Sequence, residues 1–284
     1  SFAVTAAKRG HHVTLFEKED VIGGQLNIAS QIPGKEEFQE TLRYFKRQLQ
    51  LTGVIVKNNT EATPEHLENF DEVILASGVK PHIPEIEGLD DPIVKSYLDV
   101  LKYHQPVGKN VVIMGSGGIG FDTSLYLTQK GQCSSLSPCA FNKEWGIDPT
   151  LSYRGGIKPA NHSKDDTKHI VMTQRKAGKI GLSLGKTTGW IHRLTLEKKG
   201  VKFLTHCNYQ RITPEGLIIE QDGKQQLIPA DNIILCTGQR AYHPLLTPLE
   251  KENKTVHLIG GAKDASALDA KRAIRQGTEL ALEI

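Results

Sequence analysis

The residue pattern with the clearest chemical meaning is the glycine-rich stretch Gly115-Ser-Gly-Gly-Ile-Gly120. It follows an apolar run typical of a buried strand, Val111–Met114, and precedes residues 121–129, whose composition favours a helix. Glycines let the backbone approach a ligand closely, and N–H groups at the start of a helix bind phosphate. The alternative is an ordinary glycine-rich turn, but the strand-to-helix context favours a dinucleotide pyrophosphate site.

Two cations, Arg175 and Lys176, follow the next predicted strand, His169–Thr173. At this place an NAD-binding unit usually carries an acid that binds the ribose. Cations there suit the 2′-phosphate of NADP instead, because they form charge-assisted hydrogen bonds with phosphate oxygens. The segment from Thr167 to His206 contains nine Lys/Arg and one acid. We therefore expect an NADP site, the alternative being that these are ordinary surface cations.

The beginning of the sequence predicts half of a second unit of the same kind. A helical pattern that ends at Gly10 precedes a strand that ends at Glu17. An acid at the end of this strand accepts hydrogen bonds from a ribose, and the alternative is an exposed strand-end carboxylate. The glycines of Gly23-Gly-Gln25, which follow, allow the backbone to approach a ligand. The strand and GxGxxG loop that open such a unit are expected to be missing from the chain.

The elements that position these residues alternate between strands and helices, which indicates an α/β fold. Helices are predicted from Lys35 to Leu51 and from Ala267 to Leu282, and a β-hairpin is predicted around Asp222-Gly223. Residues 130–168 are polar and rich in Ser, Asn, Pro and Gly. They form a long excursion whose length indicates that it covers a ligand or partner.

Composition excludes several classes of protein. The chain has 284 residues and a net charge of +3, so its overall charge gives no case for nucleic-acid or membrane binding. No apolar run reaches the length of a membrane helix and no signal peptide is visible, which predicts a cytoplasmic location. The four cysteines form no CxxC pair and have no zinc-ligand spacing, so reduced structural thiols and no metal site are expected.

The order of half a unit, a complete unit and a returning strand and helix resembles the two-dinucleotide-binding-domain flavoprotein reductases. Longer segments resemble the old-yellow-enzyme fusion branch that contains the NADPH-dependent 2,4-dienoyl-CoA reductases. These segments are Asn27–Phe38, Ser96–Val100, Gly117–Asp122, Glu144–Asp148 and Gly185–Arg193. In place of the Gly-Asp pair of many superfamily members, this chain has Gly260-Gly261-Ala262, and the dienoyl-CoA branch also has Gly at the place of the Asp.

The resemblance implies two doubly wound Rossmann-like domains, with the NADP domain inserted into a truncated FAD domain. The FAD domain is expected at residues 1–106 and 241–284, and the NADP domain at residues 107–240. A TIM barrel with FMN, and the cysteines of a 4Fe-4S cluster, are implied for an absent N-terminal part. The family's catalytic residues lie in that barrel, so none is assigned here.

The implied activity is transfer of reducing equivalents from NADPH to FAD, and onward through the cluster to FMN for reduction of 2,4-dienoyl-CoA in fatty acid β-oxidation. Without the first glycine loop, we expect this chain to bind FAD poorly. The resemblance adds Ala76, Gly78, Gly238, Gly260 and Gly261 to the cofactor-binding residues. The complete set is Glu17, Gly23, Gly24, Gln25, Ala76, Gly78, Gly115, Gly117, Gly118, Gly120, Arg175, Lys176, Gly238, Gly260 and Gly261.

Two alternatives remain open at the level of the sequence. One is a related old-yellow-enzyme fusion of the enoate or trimethylamine dehydrogenase type. The other is a folded but catalytically incomplete module that holds NADP(H) and docks on a barrel protein. The expected partners of the reductase are nicotinamide and flavin cofactors and an N-terminal TIM barrel, whereas the second alternative retains only NADP(H) and the barrel protein.

Overall fold

The computed structural model describes residues 1–159, 168–182, 184–266 and 268–284. The described chain divides into two compact units. Unit 1 comprises residues 1–27, 38–82 and 239–284, and unit 2 comprises residues 28–37 and 83–238. Part of the excursion predicted at 130–168, and the predicted first residue of the last helix, Ala267, lie outside the described residues.

Helices and strands alternate along most of the chain. The α-helices are α1 (Phe2–Lys8), α2 (Gln25–Ala29), α3 (Phe38–Leu51), α4 (Pro64–Leu67), α5 (Tyr97–Leu101), α6 (Gly118–Thr128), α7 (Pro138–Trp145), α8 (Gly189–Lys198), α9 (Leu246–Lys251) and α10 (Ala270–Glu283). The strands are β1 (Thr14–Phe16), β2 (Ile55–Lys57), β3 (Glu72–Leu75), β4 (Val79–Pro81), β5 (Val94–Ser96), β6 (Asn110–Met114), β7 (His169–Thr173), β8 (Lys202–Leu204), β9 (Asn208–Thr213), β10 (Gly216–Gln221), β11 (Lys224–Pro229), β12 (Asn232–Leu235), β13 (Gln239–Ala241) and β14 (Thr255–Leu258).

Unit 2 is built on a five-stranded parallel sheet in the order β5-β12-β6-β7-β8. The central strand β6 is buried from Val111 to Met114, as a parallel strand covered on both faces should be. Val111 and Ile113 pack with α5, α6 and α8 on one face of the sheet. Val112 and Met114 pack on the other face against the antiparallel sheet of β9, β10 and β11. The carboxyl ends of β6 and β7 therefore lie side by side, where a Rossmann-type ligand binds.

Unit 1 contains three two-stranded sheets, which are the parallel pairs β1–β2 and β14–β3 and the antiparallel pair β13–β4. Ala3 and Val4 of α1 pack with Leu49 of α3 in one core cluster. Leu249 of α9 lies fully buried in a second cluster with residues of β3. The α/β class and the Rossmann-like arrangement expected from the sequence are confirmed by these parallel strands and their flanking helices.

The compact units divide the chain differently from the boundaries drawn from the sequence. Residues 239–240 belong to the expected domain of residues 107–240 but lie in unit 1, and residues 28–37 and 83–106 belong to the expected domain of residues 1–106 but lie in unit 2. Here β5 pairs with β12, and Tyr97, Val100 and Leu101 of α5 are buried in the core of unit 2. Which cofactor each unit binds stays a prediction.

Several local elements differ from the sequence-based expectation. Helix α6 begins at Gly118 rather than at Phe121, because the glycines of the loop continue directly into the first turn. Helix α7 lies within the excursion, and its start has a proline after Ser137, whose side chain accepts from the N–H of Ala140. Strand β9 was not foreseen, since polar residues interrupt its apolar pattern. Among the described residues, none of the helices has both the length and the apolar character needed to span a membrane.

Candidate functional site

The glycine loop, defined as residues 115–120, begins where β6 ends. Gly115 adopts a φ of +113°, and its N–H donates to the carbonyl of Thr173 at the end of β7 (3.2 Å). A Cβ at this position would lie 2.3 Å from the carbonyl oxygen of Cys236, so only glycine fits. This close packing sets the direction in which the chain leaves the sheet.

The four glycines of this loop have two different structural situations. A Cβ on Gly120 would lie 2.2 Å from the carbonyl oxygen of Gly115, so Gly120 lets α6 pack against the end of β6. A Cβ on Gly117 or on Gly118 would meet no heavy atom within 4 Å. Gly117 is the N-cap of α6 and supplies no side-chain cap, which leaves the first N–H groups of the helix for a ligand. An open backbone cradle at a helix start therefore fits a dinucleotide pyrophosphate.

The basic loop, defined as residues 175–179, begins just after β7. Arg175 and Lys176 are both exposed. Arg175 lines a cleft of about 400 Å³ together with His206, Cys207, Asn208, Glu220, Asp222 and Gly223. The cleft is electrostatically mixed, because carboxylates of Glu220 and Asp222 share it with the guanidinium. The Asp222 carboxylate lies 3.2 Å from Nδ1 of His206.

Ser116 and Gln174 connect the glycine loop to the basic loop. The Ser116 hydroxyl donates to Oε1 of Gln174 at 2.7 Å, and Nε2 of Gln174 donates to the carbonyl of Lys176 at 3.0 Å. Neither residue is among the site residues chosen from the sequence. The sequence contained one signal for Gln174, because this residue directly follows β7, where NAD-binding units usually have an acid.

Glu17, the expected ribose ligand, directly follows β1 in unit 1. Its backbone continues the pairing with β2, since its N–H donates to the carbonyl of Lys57 at 2.9 Å. One carboxylate oxygen accepts the N–H of Glu19 at 3.1 Å. A carboxylate oxygen accepts more than one hydrogen bond, so Glu17 keeps capacity for a ribose hydroxyl.

The glycine pair after β1 also divides into a packed and an open position. A Cβ on Gly23 would lie 2.5 Å from Cδ2 of Leu42, so this glycine serves the packing of α3. A Cβ on Gly24 would meet no heavy atom within 4 Å, and Gln25, the first residue of α2, is exposed. Within this pair, Gly24 is the position open to a ligand.

The remaining candidate residues follow strand ends. In unit 1, Ala76 is exposed beyond β3, and Gly261 packs so closely against Gly78 that its Cβ would lie 3.2 Å from the Gly78 carbonyl carbon. The N–H of Gly260 donates to Oε1 of Gln276 at 2.8 Å, which ties this turn to α10. In unit 2, Gly238 has a φ of +109° and open space at its Cβ position.

An ion pair that the sequence-based choice of site residues did not include joins two segments of unit 2. Nζ of Lys35 lies 2.7 Å from both carboxylate oxygens of Asp122 on α6. The two side chains are 30% and 20% exposed, so water screens the pair only in part. Burial lowers the pKa of nearby His192 below its ordinary value, and the charge of Lys35 acts in the same direction while Asp122 opposes it. Both members of the ion pair lie in segments that carried the family resemblance.

The four cysteines are free thiols in two kinds of environment. Cys207 and Cys236 are buried, whereas Cys139 is exposed and Cys133 is half-buried. Burial raises the pKa of Cys236 to about 12, and it also raises the pKa of Cys207. Thiols of this kind are weak nucleophiles at neutral pH. Across the described ranges, no group of three or more His, Cys, Asp or Glu side chains is arranged to hold a metal ion.

Comparison with known proteins shows relatives that are longer than this chain. A metal reductase of Desulforamulus reducens is 30% identical over 276 residues, which cover 95% of this chain and 40% of that protein. A bilirubin reductase of Mediterraneibacter gnavus is 28% identical over 277 residues, or 97% of this chain and 37% of that protein. The chain thus spans about two fifths of the length of the curated relatives it matches.

A solved structure of 2-naphthoyl-CoA reductase in complex with 2-naphthoyl-CoA superposes with a TM-score of 0.81 at 27% sequence identity. The match covers 100% of this chain and 38% of that chain. Residues 1–262 match the family described as pyridine nucleotide-disulphide oxidoreductase. Because this match includes the glycine loop, the basic loop and the strand ends of unit 1, the chain belongs to the pyridine nucleotide-disulphide oxidoreductase family.

Proposed function

We propose that unit 2 binds NADPH and that unit 1 supplies contacts that bind FAD weakly, and that the chain passes reducing equivalents from the first cofactor to the second. The observation that carries the proposal is the pairing of an open glycine loop at the start of α6 with a basic loop at the end of the neighbouring strand β7. Oxidoreductases of this family use nicotinamide and flavin cofactors. NADPH, when bound, supplies a hydride that FAD accepts.

Each part of unit 2 has a separate role in this proposal. The N–H groups that follow Gly117 bind the pyrophosphate, because they lie at the positive end of the helix dipole and no Cβ covers them. Arg175 and Lys176 bind the 2′-phosphate, which distinguishes NADP from NAD. The 2′-phosphate must compete with the carboxylates of Glu220 and Asp222, which line the same cleft, for the guanidinium of Arg175.

Unit 1 supplies the proposed FAD contacts. Glu17 accepts hydrogen bonds from the ribose, and the open backbone at Gly24 and Gln25 lies against the cofactor. The strand-end turns at Ala76, Gly78, Gly260 and Gly261 keep side chains away from it. The buried, weakly acidic thiols of Cys207 and Cys236 have no nucleophilic role in the proposed transfer.

We extend the proposal to a longer protein in which a TIM barrel with FMN, together with a 4Fe-4S cluster, receives these electrons and reduces 2,4-dienoyl-CoA in fatty acid β-oxidation. The resemblance of five segments to the dienoyl-CoA reductase branch supports this extension. The complex of 2-naphthoyl-CoA reductase with its CoA thioester supports a CoA thioester as the substrate class. These partners also make a cytoplasmic location the natural one.

The test of the core proposal is isothermal titration of the chain with NADPH and with NADH. We expect NADPH to bind more tightly. We also expect Arg175→Ala to weaken NADPH binding by about tenfold or more, since a charged hydrogen bond to phosphate is lost, and to weaken NADH binding far less.

The matched control is Lys202→Ala, which removes one exposed positive charge at the amino end of β8, whereas the basic loop follows the carboxyl end of β7. This control separates a specific contact from a general loss of positive charge. Equal losses of NADPH and NADH affinity in Arg175→Ala would show that Arg175 and Lys176 are ordinary surface cations and do not bind the 2′-phosphate. Absence of NADPH binding to the unaltered chain would overturn the function itself.

A further inference from the structure

Gln174 occupies the position directly after β7, and its side chain makes three hydrogen bonds between two loops. Its Oε1 accepts the hydroxyl of Ser116 at 2.7 Å. Its Nε2 donates to the carbonyls of Lys176 at 3.0 Å and of Gly178 at 3.4 Å. The glycine loop and the basic loop therefore meet on one carboxamide.

The main chain of Gln174 is fixed by the sheet. Its N–H donates to the carbonyl of Leu204 at 2.8 Å, and its carbonyl accepts the N–H of Cys207 at 3.0 Å. The carbonyl of Lys176 also accepts the N–H of His206 at 3.1 Å. Because the backbone is held on both sides, the half-buried side chain has a defined direction toward Ser116.

Only a neutral carboxamide satisfies this set of partners. The Ser116 side needs an acceptor, whereas the carbonyls of Lys176 and Gly178 need donors, and an amide supplies both. A carboxylate could still accept from Ser116, but it would face two carbonyl oxygens without a proton to donate. The acid usual at this position in NAD-binding units is charged and binds the ribose, whereas Gln174 is neutral and connects two loops.

We infer that Ser116 and Gln174 are positioning residues that hold the pyrophosphate subsite and the 2′-phosphate subsite at a fixed spacing. This inference rests on the proposed function, because it deepens the NADP specificity of the same site. Ser116 lies between Gly115 and Gly117 in the glycine loop, and the basic loop begins at the residue after Gln174. One dinucleotide that contacts both loops gains from their fixed spacing, since less conformational freedom is lost on binding.

This arrangement predicts a particular ligand dependence. NADPH contacts both subsites, adenosine 2′-monophosphate contacts only the basic loop, and NADH lacks the 2′-phosphate. Loss of the Ser116–Gln174 hydrogen bond should therefore weaken the binding of NADPH more than the binding of adenosine 2′-monophosphate or of NADH. A purely structural role would weaken all three ligands by a similar factor.

The experiment compares Ser116→Ala and Gln174→Leu with the unaltered chain by titration with these three ligands. We expect the dissociation constant of NADPH to rise about fivefold to tenfold in each variant, as the loss of one or more hydrogen bonds predicts, with less than about a twofold change for NADH in each variant and for adenosine 2′-monophosphate in Ser116→Ala. The double variant should bind NADPH no more weakly than the single variant with the lower affinity, because the two substitutions remove the same connection between the loops.

Two conservative variants sharpen the test. Ser116→Thr keeps the hydroxyl and should retain most of the NADPH selectivity. Gln174→Glu keeps the acceptor but not the donors, and should lose selectivity as Gln174→Leu does. The thermal melting temperature of each variant reports whether it is folded, and if Gln174→Leu fails to fold, Ser116→Ala decides the question.

The outcomes separate this inference from the proposed function. If the unaltered chain does not bind NADPH, the proposed function and this inference fail together. If it binds NADPH in an Arg175-dependent way and Ser116→Ala changes nothing, the inference alone is overturned. Equal weakening of NADPH, NADH and adenosine 2′-monophosphate would also overturn it, since the two residues would then have only a structural role.

Discussion

Gly120 packs against the carbonyl oxygen of Gly115 so closely that a Cβ atom on Gly120 would lie 2.2 Å from that oxygen. Helix α6 can therefore begin directly beside the end of β6. Gly117, in the same loop, has no heavy atom within 4 Å of its Cβ position. The same residue type thus serves packing at one position and ligand approach at the other.

This contrast predicts opposite results for two matched substitutions. Gly120→Val should lower the free energy of unfolding by about 1–3 kcal/mol, because backbone must move to admit the side chain. Gly117→Val should leave the melting temperature nearly unchanged, since its φ of −80° suits any residue, but should weaken NADPH binding by about tenfold or more as phosphate contacts are blocked. Thermal melts and titrations measure both. Unchanged NADPH affinity in folded Gly117→Val would contradict the assignment of the pyrophosphate site to this loop.

The Lys35–Asp122 ion pair should stabilise unit 2 measurably. A double-mutant cycle with Lys35→Met and Asp122→Asn should give a coupling free energy of about 1 kcal/mol, since both side chains are less than a third exposed. The control cycle uses Arg43 and Glu40, which pair at 2.6 Å but are 74% and 68% exposed. Added salt should abolish the control coupling and leave most of the Lys35–Asp122 coupling. Equal salt sensitivity of the two cycles would show that Lys35 and Asp122 are as screened as a surface pair.

His192 should contribute to the acid sensitivity of the fold. Its pKa in the folded chain lies below the ordinary value of 6.5, chiefly because it is partly buried. The unfolded chain then binds more protons than the folded chain as the pH falls through this ordinary value, so stability decreases on acidification. His192→Gln should flatten the dependence of the melting temperature on pH as the pH falls below about 7. Replacement of the exposed His12 serves as the control, and an equally steep dependence in His192→Gln would contradict the assignment.

The cysteines should separate into two classes on alkylation. In the folded chain, iodoacetamide at pH 8 should modify Cys139 first, whereas Cys207 and Cys236 should react only after unfolding. Burial keeps these two thiols protonated, and the pKa of Cys236 is raised to about 12. Peptide mass spectrometry with and without denaturant measures the order. Rapid modification of Cys236 in the folded chain would be inconsistent with its buried position.

The sequence by itself determined those features that depend on local spacing. The GxGxxG pattern between an apolar strand and a helix indicated the glycine loop, and β7 has the bounds expected for it, with Arg175 and Lys176 just beyond its end. The Asp222-Gly223 pair predicted the hairpin of β10 and β11, because this residue pair favours a tight two-residue turn. In the structure both residues have the positive φ angles that such a turn requires. The α/β class followed from the same alternation of short apolar runs and helical patterns.

The tertiary structure decided which distant residues meet. Ser116 and Gln174 are 58 positions apart, and Lys35 and Asp122 are 87 positions apart, so no local pattern could pair them. Sequence spacing also could not separate Gly117 from Gly120, because the difference lies in what surrounds each Cβ position. Strand β9 pairs with β10 despite its polar residues, since its place is fixed by its partner strand and by the core beneath it. Local periodicity specifies elements, whereas contacts between them depend on how crossovers order the strands and on close packing.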